Sequence, residues 1–153
     1  MTFTQFEKDS SWSRPSLPDY LIKFRKPGEN KSPVQNGDGC EISRDDWIEL
    51  ASGVWTATVR ETYTLNTIKY EGDEAHMCPL QLDTIHNAVR LWSNPGDVIQ
   101  SPFGGIGSEG YQSIIDGRMA VLHELKVEYF DQMISNLKRA VKLKNQGELF
   151  DDI

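Results

Sequence analysis

Cysteine, histidine and adjacent prolines are the scarce features of this chain. Its 153 residues include only two cysteines, Cys40 and Cys78, and neither has a CxxC companion. That excludes a disulfide framework or a zinc-finger ligand set and implies a reducing, cytoplasmic setting. The three histidines, His76, His86 and His123, are scattered, so no metal centre is expected, and His86 reads as a surface residue. No stretch approaches the ~20 apolar residues that span a bilayer, and the first ten residues mix charge with hydroxyls, unlike the apolar centre of a secretion signal. Basic residues fall short of acidic ones, 16 against 23, for a net charge of −7. This deficit argues against a free-standing nucleic-acid binder, whose affinity would come mostly from phosphate neutralisation. It leaves room for a local basic strip or a basic partner.

What is present divides into two textures. Up to about residue 75 the chain carries Pro15, Pro18 and Pro27, the soft stretch Asn36-Gly37-Asp38-Gly39 and no strong periodicity. Asp19 to Phe24 is its best strand candidate, ended by Lys26-Pro27-Gly28. Trp47, Ile48, Leu50, Val54 and Trp55 suggest a short helix followed by a turn at Ser52-Gly53. The second half is clearer. Pro79 suits a first helical turn, and Leu82, Ile85, Val89 and Trp92 form a helical apolar stripe halted by Ser93-Asn94-Pro95-Gly96. Asp97 to Phe103 reads as a strand, Ser108 to Ile115 as a helix closed by Gly117, and Met119 to Leu122 as a buried strand. Phe130, Met133, Ile134, Leu137 and Val141 make a last helical stripe from Val127 to about Asn145-Gln146-Gly147. An α-β-α-β-α order implies parallel strands, hence an α/β, partial Rossmann-like sheet behind an irregular N-terminal segment.

Between the first strand and its helix, Gly105, Gly107 and Gly110 satisfy G-x-G-x-x-G. Glycines allow a tight turn and let backbone approach a ligand, and the helix behind the turn offers unpaired N–H groups. Glu124, seventeen residues beyond Gly107, ends the next strand, where a carboxylate can accept from both ribose hydroxyls of a nucleoside. A ligand-free turn and a solvated glutamate are the bland alternative. A dinucleotide needs the helix N-terminus for its pyrophosphate, which Glu109 would oppose. S-adenosylmethionine has no phosphate and carries a cationic sulfonium, so it fits better.

Three segments carry a resemblance: His76-Met77-Cys78-Pro79-Leu80-Gln81-Leu82-Asp83, Leu91-Trp92-Ser93-Asn94-Pro95-Gly96-Asp97, and Ser101 through Ser108. They resemble the C-terminal, cofactor-binding half of bacterial and phage DNA adenine or cytosine amino-methyltransferases. A His/Pro segment ahead of the glycine turn is similar to the β group. The resemblance continues through Gly117-Arg118 and His123-Glu124-Leu125-Lys126 to Tyr129-Phe130, and upstream Pro18 to Pro27 is similar to the strand after the family's catalytic motifs. It implies that Phe103, Gly105, Gly107 and Ser108 surround the methionine moiety and sulfonium of S-adenosylmethionine. Glu124 would hold the ribose, Leu125 would lie near the adenine, and Cys78, Pro79 and Leu80 would line the other side. Ser101 stands where the family more often has an aspartate, which removes a charge from that position.

The family's chemistry sits in an Asp/Asn/Ser-Pro-Pro-aromatic tetrapeptide, and none of the seven prolines here is next to another. The resemblance therefore implies 1–75 as the region after the catalytic motifs, 76–146 as a cofactor-binding α/β unit and 147–153 as an acidic tail. No catalytic residue is expected. The expected function is the S-adenosylmethionine-binding portion of a site-specific DNA amino-methyltransferase, inactive alone. A partner chain with the catalytic half, or a second copy, would cover the open sheet, and double-stranded DNA would be bound through the assembly. Lys23, Arg25, Lys26 and Lys31 fall where DNA-facing residues begin. The alternative is a non-enzymatic, phage-derived protein that binds or inhibits a host methyltransferase or defence complex. A dinucleotide-dependent oxidoreductase is more distant.

Overall fold

The computed structural model of the chain describes residues 19–37, 39–55, 58–60, 62–66 and 79–151. Two compact units lie along it, Met1–Ser32 and Pro33–Ile153. In the first, the described residues 19–32 form neither helix nor strand and are exposed throughout. Asp19 to Phe24 thus departs from the expected strand: no described residue pairs with it, and Tyr20, Ile22 and Phe24 are 82%, 72% and 88% exposed. Apolar, β-prone residues make a strand only when a neighbouring edge takes up their N–H and C=O groups.

The second unit holds α1 (Arg44–Leu50), α2 (Leu82–Trp92), β1 (Val98–Ser101), α3 (Ser108–Ile115), β2 (Met119–Leu122) and α4 (Val127–Asp151). Strands β1 and β2 pair in parallel, with Val98 opposite Met119 and Ser101 opposite Leu122. Helix α3 connects them and lies against both strands, α2 and α4. Its buried residues are Ser108, Gly110, Tyr111, Gln112 and Ser113. A Cβ on Gly110 would come 2.5 Å from Leu122 Cδ1 and 2.8 Å from Leu137 Cδ2, so glycine is what lets α3 fit between β2 and α4. Tyr111 of α3 joins Leu65, Leu82, Ile85, Val89, Ile106 and Ala140 in one buried hydrophobic cluster.

Local signals account for the helix starts. Ser43 caps α1, its Oγ accepting from the Asp46 N–H at 3.2 Å and donating to the Asp46 carboxylate at 2.8 Å. Gln81 caps α2 without a side-chain bond, and the Leu82 N–H is satisfied instead by the Tyr63 carbonyl at 2.8 Å. Pro79 therefore precedes the helix rather than sitting in its first turn. Asp83, which is in that turn, accepts from the Arg60 backbone N–H at 2.9 Å and from its Nε and Nη2 at 2.7 Å each. These bonds hold the Asp83 carboxyl below its usual range and raise Arg60.

Three other expectations change. The exposed face of the sheet includes Val98, Met119 and Val121, so β2 is half-buried rather than buried. Trp92 ends its stripe at 40% exposure. Helix α4 also runs through Asn145-Gln146-Gly147, since one interior glycine costs a helix only about 1 kcal/mol.

A polar clasp anchors the segment around Glu41. The Arg118 side chain is fully buried, and its guanidinium donates to both Glu41 carboxylate oxygens at 2.6 Å, to Asp116 O at 2.6 Å, to Ser93 O at 2.7 Å and to Ser93 Oγ at 3.1 Å. Five donors thus meet five acceptors, which is what makes burial of this charge tolerable. Arg90 adds a bond from Nη2 to Glu41 O at 3.0 Å. His86 does not lie loose on the surface: its Nδ1 is 2.7 Å from Asp116 Oδ1, within the same polar region.

Candidate nucleoside site at the glycine turn

The parallel ladder continues past its strands. His123 N–H donates to Ser101 O at 3.0 Å, and Gly104 N–H donates to His123 O at 2.6 Å. This zips the start of the glycine turn to the segment that carries Glu124. Gly107 N–H closes the turn on Gly104 O at 2.8 Å. Gly105 (φ 52°) and Gly107 (φ 88°) adopt left-handed backbone, and Gly107 is the N-cap of α3. Space is as restrictive as torsion. A Cβ at 104 would lie 2.8 Å from Met133 Sδ and 3.0 Å from His123 O, and one at 107 would lie 2.9 Å from Met133 Cγ. Asn136 completes the support, its Nδ2 donating to Ile106 O at 2.8 Å.

Glu124 lies against this turn. One carboxylate oxygen accepts from the Gly105 N–H at 2.7 Å, and the other from the Lys126 N–H at 2.8 Å. A carboxylate has about four lone-pair directions, so each oxygen keeps one for a ligand hydroxyl. The two backbone bonds fix where that hydroxyl would have to be.

A cavity of about 150 Å³ opens beside the turn. Pro79, Leu80, Phe103, Gly105 and Ser108, all named from the sequence, line it. Gly104, Ile106 and Glu109 line it as well, although none of them was singled out as a binding residue. Gly104 and Ile106 could have been inferred from lying inside the turn, and Glu109 from its place one residue into the helix. Drug-sized ligand pockets span roughly 300–1,000 Å³, so a nucleoside-sized molecule would extend beyond this one.

The remaining sequence candidates fall elsewhere. Ser101 ends β1, and its Oγ accepts weakly from the Phe103 N–H at 3.4 Å. Gly107 does not line the cavity and packs against Met133. Leu125, beside Glu124, is fully exposed. Cys78 and His76 lie outside the described residues. Lys23, Arg25, Lys26 and Lys31 are exposed on the first unit, where Arg25 Nη2 donates to Gly28 O at 3.5 Å. His123 Nδ1 faces Ser101 O at 3.4 Å, and among the described residues no three His, Cys, Asp or Glu side chains gather to hold a metal ion. A second cavity, about 220 Å³, lies beside Cys40, Glu41 and Arg90 and belongs to the polar clasp. No helix among the described residues is long and apolar enough to cross a membrane.

Neither a protein-family profile nor a curated protein sequence matches the chain. Solved structures do. A protein assigned as a DNA modification methylase from Thermus thermophilus, solved in complex with S-adenosyl-L-methionine, superposes with a TM-score of 0.56 at 22% identity. The match covers 84% of this chain and 50% of that one. The selenomethionine derivative of the same protein gives 0.55 at 24% identity, over 81% and 50%. M1.HpyAVI matches less well, with a TM-score of 0.38 at 19% identity over 46% of this chain and 41% of that one. The likeness at 22% and 24% identity shows the fold: an α/β arrangement shared with the Thermus protein. This chain spans about half the length of that protein.

Proposed function

We propose that the chain is the S-adenosylmethionine-binding portion of a DNA amino-methyltransferase, acting on an adenine or cytosine exocyclic amine. The observation that carries the reading is Glu124 bonded to the Gly105 N–H at 2.7 Å beside a cavity, in a fold shared with a methylase solved with that cofactor. Glu124 holds the ribose hydroxyls. Phe103, Gly105 and Ser108 surround the methionine end, and Pro79 and Leu80 close the opposite wall. Leu125 covers the adenine, and Ser101 offers a hydroxyl without a charge. When bound, the cofactor supplies an electrophilic methyl group on sulfur. The 153 residues contain no Pro-Pro-aromatic tetrapeptide to hold a flipped base's amine in line, so methyl transfer needs that motif from outside them, in this reading from a partner. Such a partner would bring double-stranded DNA to the site, with Lys23, Arg25, Lys26 and Lys31 as phosphate contacts.

Titration calorimetry with S-adenosylmethionine tests the core of this reading. Saturable binding that Glu124→Ala weakens by at least tenfold is expected. No binding at millimolar ligand would sink it. Labelled S-adenosylmethionine and duplex DNA test the second part: the purified chain alone transfers no methyl group above the no-protein control. Incorporation that Gly105→Trp abolishes would show that another segment holds the base. The missing tetrapeptide also favours a second reading, a phage-derived protein that binds or inhibits a host methyltransferase or defence complex. A methyltransferase captured from bacterial lysate and inhibited by the chain, which itself binds no cofactor, would support it instead.

A further inference from the structure

We infer that Met133, on α4, is a positioning residue for the nucleoside site: it sets where the glycine turn stops, and so where Gly105 meets Glu124. The inference rests on the proposed nucleoside site and adds to it a residue that would touch no ligand. Met133 is 2% exposed and does not line the cavity. Gly104 does line it, and a Cβ there would lie 2.8 Å from Met133 Sδ. At Gly107, the N-cap of α3, a Cβ would lie 2.9 Å from Met133 Cγ. One side chain thus backs both ends of the turn, whose middle residues Gly105 and Ile106 line the cavity. An unbranched thioether suits this place, since it fills an irregular gap that a stiffer side chain would leave or overfill. Asn136, three residues on and on the same side of the helix, donates to Ile106 O at 2.8 Å. The ladder that follows β2 places Glu124, but through Gly104 N–H and His123 O it holds only the entrance of the turn. Beyond that entrance, what stops the turn from receding is α4. The 2.7 Å bond from Gly105 N–H to Glu124 therefore depends on how far the turn sits from Met133. A ligand that engages both Glu124 and the turn meets backbone with a close-packed side chain behind it, and that backbone cannot yield.

Two readouts on the full chain separate positioning from stability: titration calorimetry with S-adenosylmethionine, and the amide signals of Gly104, Gly105 and Gly107 in nuclear magnetic resonance. Met133→Ala removes the backing, and Met133→Leu keeps its volume. Leu50→Ala, at a buried residue of α1, lowers stability away from the turn. M133A should bind about tenfold more weakly, M133L within about threefold of the unaltered chain, and L50A with unchanged affinity despite its lower Tm. The Gly105 amide, which reports the bond to Glu124, should shift and exchange faster in M133A and keep its position in L50A. Should M133A fail to fold, Met133→Val takes its place, since it withdraws only Sδ and Cε, and affinity and the Gly105 amide should move in the same directions. Either readout staying at its unaltered value overturns the inference. So does an L50A loss equal to that of M133A, because binding would then follow stability wherever it is lost. These results leave the nucleoside site standing. If the unaltered chain binds no S-adenosylmethionine, the site itself falls and the inference with it.

Discussion

The two sides of the second unit are held by different kinds of force. Around the glycine turn, backbone and side chains meet at close range: Met133 fills the space at Gly104 and Gly107, and α3 leans on β2 and α4 through Gly110. The described residues of 33–66 have little regular structure beyond α1, and charged groups tie them down: Glu41 to Arg118, Arg60 to Asp83. Close packing specifies position to fractions of an ångström, as a ligand site requires. Polar latches fix a few points of an irregular chain and leave the stretches between them to follow. The difference teaches that precision is concentrated where the candidate chemistry is.

The comparison can be broken from either side. The largest effect is expected from Arg118→Met, which leaves Asp116 O and Ser93 O without this donor and Glu41 with only the longer Arg90 pair at 3.6 Å. A loss of about 3–5 kcal/mol in chemical denaturation is predicted, with hydrogen exchange speeding up first in α1. Uniform acceleration across α3 and α4 would mean that the clasp is part of one common core. Gly107→Ala attacks the other side, adding left-handed strain to a collision with Met133. About 2–3 kcal/mol should be lost, together with binding at the turn. A neutral outcome in the same denaturation experiment would show that the turn has slack. Asn136→Ala sharpens the picture by removing one bond to Ile106 O, for about 1 kcal/mol and a measurable fall in nucleoside affinity.

The smallest effect is expected at Asp83→Asn, and pH reveals it. The folded carboxyl lies below its ordinary value of 3.8 because of Arg60. Its contribution is therefore present above the unfolded pKa and drains away as pH falls through the folded one. The Tm gap between the variant and the unaltered chain should be about 2 °C at neutral pH, begin to close below about pH 4, and vanish once the folded group is protonated. A gap unchanged at low pH would assign the effect to helix capping alone.

The sequence was most legible where local rules decide. Ser108–Ile115 and Met119–Leu122 are the predicted elements to the residue, because glycine punctuation and short apolar runs fix them within a few positions. Five of the cavity's lining residues were likewise readable, through the turn or the resemblance. Long-range pairings were not. Glu41 and Arg118 are 77 residues apart, and nothing in either neighbourhood signals the other. Glu109 was recognised as an obstacle to phosphate, but its place on the cavity wall depends on the turn's three-dimensional path. Asp19–Phe24 had the composition of a strand and no partner among the described residues, which composition cannot supply.

The extended parallel ladder also has a bearing on how this chain can drift. Gly105 and Glu124 are 19 residues apart and meet because the registers of β1 and β2 are locked from Asp97 O to His123 O. Successive strand residues point to opposite faces, so a slip of one position would swing the carboxylate to the far side of the sheet. The stretch between them therefore behaves as a length gauge. Over generations it should absorb exchanges of one side chain for another far more readily than the gain or loss of a single residue.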